Sequence, residues 1–329
     1  MTKSLFFLPV ILGISVAGLS QQNLVKEKKA TDAPGQITVP AKSLNFLAMG
    51  DWGRNGEYHQ KEVAHQMGIS AKQFNASFIL ATGDNFYPSG VASTQDYSWI
   101  ASYENMYTAH ALQTDWYVVL GNHDYKGNIQ AEIDYSKISR RWHMPAAYYA
   151  KKIVIDEDSG PAVLLLICID TSPFISQYYS SEDHKAQVQV QDTAVQRKWL
   201  ENVLSDTSAA IKWKVVVGHH PLYTGGKRIK SKDTYELNAL LQPIFDKYKV
   251  DAYICGHEHN LQYIKPAGNT HYFVTGAGSE TTPVIQYPGI GKYARSVNGF
   301  MAFSLTANAM LVQVIDEKGG LLYKDTIKK

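Results

Sequence analysis

The chain has 329 residues, 45% apolar and 19% charged, an ordinary globular balance with ample material for a core. Its net charge of +2 excludes a large basic surface for nucleic acid and an acidic tail.

The first twenty residues, "MTKSLFFLPVILGISVAGLS", place Lys3 before an apolar stretch and then small residues. That order predicts an export signal over residues 1–20, and its apolar segment is short for a membrane span. Cleavage after Gly18 or Ser20 is expected, with a retained anchor as the alternative. No cysteine stands near the site to carry a lipid. Residues 21–43 are polar with Gly and Pro and read as a tether. Residues 44–329 contain no linker, no repeat and no second run long enough to span a bilayer, so they read as one domain. Secretion or periplasmic export follows, with no stable membrane insertion once the signal is removed.

From Leu44 two textures alternate. The runs "LNFLAMG", "SFILATG", "WYVVLGN", "AVLLLICID", "WKVVVGH", "DAYICGH" and "HYFVTGAG" predict buried strands. Between them, Val63, Met67 and Phe74 predict one helix, and Trp99, Tyr103, Met106 and Tyr107 predict a second. Trp199, Leu200, Val203 and Leu204 predict a third, and Leu237, Leu240, Leu241, Ile244 and Phe245 a fourth. Strand, helix and strand in succession argue for an α/β sandwich. The last stretch has strand texture, with Gly319-Gly320 as a hairpin signal. The two cysteines, Cys168 and Cys255, lie inside apolar runs, which favours buried thiols over a disulfide.

Five runs end alike, in "MGDWG", "TGDNFY", "LGNHD", "VVGHHP" and "CGHEHN". Each delivers Gly with Asp, Asn or His at a carboxyl tip, where open α/β sheets bind ligands. One such ending is ordinary turn chemistry, but five together are hard to explain by core packing. Carboxylates, imidazoles, an amide and a phenol, without thiolate, suit hard-to-borderline first-row metals. Asp51, Asp84, Tyr87, Asn122, His219, His257 and His259 exceed one site and suit two ions sharing a carboxylate. Asp84 is the expected bridge. Tyr87 would bind as phenolate, which points to ferric iron, because a phenol with a pKa near 10 ionises readily only on a strong Lewis acid.

These endings resemble the metallophosphoesterase signature, and the tyrosine in the second block marks the purple acid phosphatases. The resemblance is nearest to the small tartrate-resistant acid phosphatases and extends into "GNIQAEIDYSKISRRWHMPAAYY", "QRKWL" and "VTGAGS". It implies a two-sheet β-sandwich flanked by helices. It implies Fe(III) held by Asp51, Asp84, Tyr87 and His259, and a divalent Fe, Zn or Mn held by Asp84, Asn122, His219 and His257. His123 matches the histidine that touches substrate phosphate and can act as general acid. The expected activity is an acid phosphatase hydrolysing phosphate monoesters by attack of a metal-bound hydroxide, on small phosphorylated substrates, in a monomer. A phosphodiesterase on the same site is the alternative, and a non-catalytic iron-binding or redox protein a further one.

The sequence departs from mammalian members of that family at Arg228, nine residues after His219, where they carry a second substrate-facing histidine. His220 and Arg228 are therefore the candidate substrate contacts. Residues 171–190, "TSPFISQYYSSEDHKAQVQV", fall where the family has a mobile loop over the site, and lack its cysteine. Asp124 reads equally as a partner orienting a ligand's ring or as a turn carboxylate. Trp52 and Asn85 are expected to shape the pocket. His59, His65, His110, His143, His184 and His271 read as surface or structural residues.

Overall fold

The alternation within β1 (Leu44–Met49) shows how the layers are built. Phe46 and Ala48 pack into a core between two sheets, and Leu47 and Met49 into a core beneath helices, as the two-residue period of a strand requires. Burial on both faces explains why such strands read as unbroken apolar runs.

The computed structural model describes residues 37–329 apart from 157–161, 286 and 288, together with Met1. The expected signal and most of the tether lie outside the described residues. The tether's end is held to the domain, because Thr38 and the Gln313 amide exchange two hydrogen bonds at 2.9 and 2.8 Å.

After β1 come α1 (Gln60–Phe74), β2 (Phe78–Ala81), β3 (Asp115–Val118), α2 (Ile129–Tyr135) and β4 (Trp142–His143). The next section holds β5 (Tyr149–Asp156), β6 (Ala162–Cys168), α3 (Lys185–Val188), α4 (Thr193–Leu204), β7 (Ile211–Val217) and α5 (Lys232–Tyr248). It continues through β8 (Ala252–Cys255), β9 (Leu261–Ile264), β10 (His271–Thr275) and β11 (Gly291–Arg295). The chain ends with β12 (Gly299–Leu305), β13 (Ala309–Asp316) and β14 (Leu321–Lys328). Two mixed seven-stranded sheets result, in the orders β14-β13-β12-β1-β2-β3-β4 and β11-β9-β10-β8-β7-β6-β5. Helices flank them, as expected for an α/β sandwich of the metallophosphoesterase type.

The register positions the functional tips. Met49, Ala81 and Val118 are level across the parallel strands β1, β2 and β3. Cys168, Val217 and Ile254 are likewise level across β6, β7 and β8. A bond from Gly50 N to Thr275 O, 2.7 Å, ties the tip of β1 to β10 in the other sheet.

Three of the four expected helices form. The second does not: Trp99–Glu104 is one turn of π-helix. Its aromatic stripe is core rather than helix signal. Trp99 stacks on Tyr135 at 3.5 Å, and Tyr103 and Tyr107 pack edge-on to Trp116. The Gly319 hairpin joins β13 to β14, with Gly319 at φ 83°. Both cysteines are buried and free. Among the described residues no helix is long and apolar enough to cross a membrane.

Candidate metal centre

The turns after β1, β2, β3, β7 and β8 bring all seven expected ligands together. Two carry glycines that nothing larger could replace. A Cβ on Gly83, at φ +88°, would stand 2.6 Å from His219 Nδ1, and one on Gly121 would stand 2.3 Å from Asp84 Oδ1. Asp51, Asp84 and His257 adopt left-handed backbone at φ 59°, 49° and 67°. Such strain costs roughly 1–3 kcal/mol per residue and persists where the surroundings enforce it.

The donor atoms fall into two groups. In the first, the Tyr87 hydroxyl lies 3.0 Å from Asp51 Oδ1, 2.9 Å from Asp84 Oδ2 and 3.2 Å from His259 Nε2. In the second, His219 Nε2 lies 3.3 Å from Asp84 Oδ1, 3.2 Å from Asn122 Oδ1 and 3.1 Å from His257 Nδ1. Asp84 belongs to both, with one oxygen in each.

These groups fit metal ions. One phenolic proton cannot serve two carboxylates and an imidazole, and one proton on His219 cannot serve three neighbours. A cation among them would satisfy every donor. Burial first, then the charges of Asp51 and Asp84, push the Tyr87 phenol well above its ordinary pKa, so its ionisation calls for a strong Lewis acid. Burial raises the Asp84 carboxyl, but the His219 charge and hydrogen bond outweigh it and hold it well below the carboxylate range. The same partnership, against burial, raises His219.

A backbone carbonyl orients the His219 ring, and carboxylates stand near the other two. His219 Nδ1 donates to Thr82 O at 2.8 Å, which leaves Nε2 facing the cluster. Asp233 Oδ2, at the start of α5, lies 3.5 Å from His257 Nε2, long for a hydrogen bond. Glu280 Oε2 lies 3.8 Å from His259 Nδ1. The Arg54 guanidinium sits 3.7 Å from the centre of the Tyr87 ring and pairs with Glu280 at 2.8 Å. None of Asp233, Glu280 and Arg54 stands out in sequence, because each belongs to the site only through folding.

His123 is half-buried beside Tyr87, with ring centres 4.4 Å apart. Its Nδ1 donates to Pro88 O at 2.6 Å, so Nε2 remains for the cleft. Burial lowers its pKa, opposed by Asp84. Arg228 donates from Nη1 to His257 O at 2.9 Å and keeps 27% of its side chain exposed.

His220 does not face the cleft. Its Nδ1 meets Thr171 Oγ1 and its Nε2 meets Tyr178 Oη, both at 2.8 Å, so neither nitrogen is left for a phosphate. Asp124 is a turn carboxylate. It accepts from the amides of Asn85 at 2.8 Å and Gly121 at 2.7 Å, tying two tip loops together, and bonds no histidine. Trp52 is fully buried among Phe86, Tyr103, Tyr107, Trp116 and Trp142, beneath the site.

Residues 44–261 match the family described as calcineurin-like phosphoesterase. The chain is 34% identical over 298 residues to purple acid phosphatase 7 of Arabidopsis thaliana, covering 87% of each. It is 33% identical over 302 residues to tartrate-resistant acid phosphatase type 5 of Oryctolagus cuniculus, covering 87% of this chain and 91% of that one. Among solved structures, GAP50, the anchor in the inner membrane complex of Plasmodium, superposes with a TM-score of 0.76 at 24% identity, covering 87% of this chain and 89% of that one. At that identity the likeness shows the fold alone.

Proposed function

We infer that this chain, which belongs to the calcineurin-like phosphoesterase family and within it to the purple acid phosphatases, is an acid phosphatase that hydrolyses phosphate monoesters at a two-metal centre. The observation that carries this reading is the split of Asp84 between two donor groups. Asp51, Asp84, Tyr87 and His259 would hold ferric iron, and Asp84, Asn122, His219 and His257 a divalent Fe, Zn or Mn. Such a pair supplies positive charge to the phosphoryl oxygens and an acidified water at low pH. Asp84 would offer one carboxylate oxygen to each ion. Thr82 O holds His219 in the tautomer that leaves Nε2 free.

His123 is proposed as the general acid, moving a proton from Nε2 to the leaving oxygen. Pro88 O fixes that direction by taking the proton on Nδ1. Arg228 is proposed to steady the phosphate from the His257 side. The leader's charge and apolar pattern support an exported enzyme. An ester panel on iron-reconstituted protein with a divalent metal added tests the activity. Monoesters such as phenyl phosphate should turn over faster than matched diesters, and the opposite order would favour the phosphodiesterase reading.

A further inference from the structure

Residues 169–192, between β6 and α4, contribute none of the seven expected ligands, yet they grip two of the loops that do. Tyr178 and His184 stack with ring centres 4.4 Å apart and planes 14° apart. Tyr178 Oη meets His220 Nε2 at 2.8 Å, beside His219. His184 Nε2 meets Asn122 O at 3.0 Å. A carbonyl only accepts, so Nε2 carries the proton and Nδ1 accepts from Ser181 Oγ at 2.7 Å.

The Asn122 carbonyl belongs to the same peptide as the His123 N–H, which donates to Asp84 Oδ1 at 2.7 Å. That peptide plane is therefore held on one side by His184 and on the other by the shared carboxylate. Its orientation sets the direction of both the Asn122 amide and the His123 ring. On the β7 side, Thr171 Oγ1 accepts from the amides of His219 and His220 at 3.3 and 3.2 Å. The segment is itself pinned. The Gln187 amide donates to Tyr125 O and Gly127 O at 2.6 Å each, and Ser176 Oγ donates to Glu236 at 2.6 Å. No hydrogen bond from it reaches Asp51, Tyr87 or His259.

We propose that the stacked Tyr178–His184 pair is a clamp that positions Asn122, His219 and His123, and so sets affinity for the divalent metal without acting on the tyrosinate half of the site. This rests on the two-metal reading above. Tyr178 and His184 are positioning residues and touch neither metal nor substrate.

The test uses iron-loaded full-length protein and two readings, the visible tyrosinate band and the Zn²⁺ dissociation constant measured against a chromophoric chelator. His184→Ala should keep the band and weaken Zn²⁺ binding by about 10–100-fold, the range for partners that orient ligands. His184→Gln, which retains a donor of similar reach, should recover part of that loss. Tyr178→Phe keeps the stack and loses one bond, so it should weaken Zn²⁺ less. It carries the test if the alanine variant fails to fold. Unchanged Zn²⁺ affinity in the folded variants, or loss of the band together with Zn²⁺, would overturn the clamp. Wild-type protein that binds iron but no second ion would instead overturn the two-metal reading, and the clamp with it.

Discussion

Asp84 Oδ2 stands 2.9 Å from the Tyr87 hydroxyl, while Asp84 Oδ1 faces His219 in the other donor group. Burial and the nearby carboxylates push the Tyr87 phenol well above its ordinary range while His219 holds the Asp84 carboxyl well below its own, so only a strong Lewis acid would ionise the phenol here.

Tyr87→Phe keeps the ring beneath Arg54 and removes the oxygen. Phenolate bound to ferric iron absorbs visible light, so the oxidised wild-type protein should be violet and the variant colourless. Persistence of the band in the phenylalanine protein would remove Tyr87 from the iron.

His123→Ala should retain both metals and slow turnover, most on esters with poor leaving groups, by about 10²–10⁴-fold if the imidazole is a strong general acid. Elemental analysis alongside kinetics checks this. Metal loss would make His123 a ligand, and an equal slowing on all leaving groups would end its role as acid.

His219→Ala and His257→Ala should each leave iron bound and weaken the divalent ion. Their nitrogens face Asn122 and one another rather than Tyr87. Iron lost first would reverse the assignment of the two halves.

The Asp170 carboxyl, buried at the tip of β6, is pushed up to about 7 by burial, against hydrogen bonds from Tyr125 and Ser172 and the His219 charge. Folded protein thus holds this proton at pH values where the unfolded chain, with a pKa of about 3.9, has released it. Stability from this group is full below the unfolded value and is lost as pH rises through about 7. Asp170→Asn, which cannot titrate, should therefore gain melting temperature relative to wild type between about pH 4 and 7. A constant offset between the two melting curves would contradict this.

The strands at the centre of both sheets were legible in sequence because burial on both faces leaves unbroken apolar runs ending in a polar tip. The edge strands β5 and β11 were not, since half their residues meet solvent and their texture is mixed. The Trp99 stripe mimics an amphipathic helix because aromatic packing and helical spacing mark the same positions. Five of the seven ligand residues could be found because each directly follows a glycine at a strand end, and Tyr87 and His259 because they stand within three residues of such a ligand. Asp233, Glu280, Arg54 and His184 could not, because nothing local distinguishes them from a helix cap, a loop acid or a surface residue. His220 shares the Gly-His-His context of His219, and only the closure of Thr171 and Tyr178 around it shows that it faces inward.

The most direct measurement is the rate of phenyl phosphate hydrolysis as metals are returned to chelator-stripped protein. A two-metal phosphomonoesterase should show negligible turnover when stripped, stay slow with one equivalent of iron, and reach full rate only when a divalent ion is added. Full hydrolysis by the stripped protein, or with iron alone at one ion per chain, would contradict catalysis by a centre that Asp84 shares between two metals.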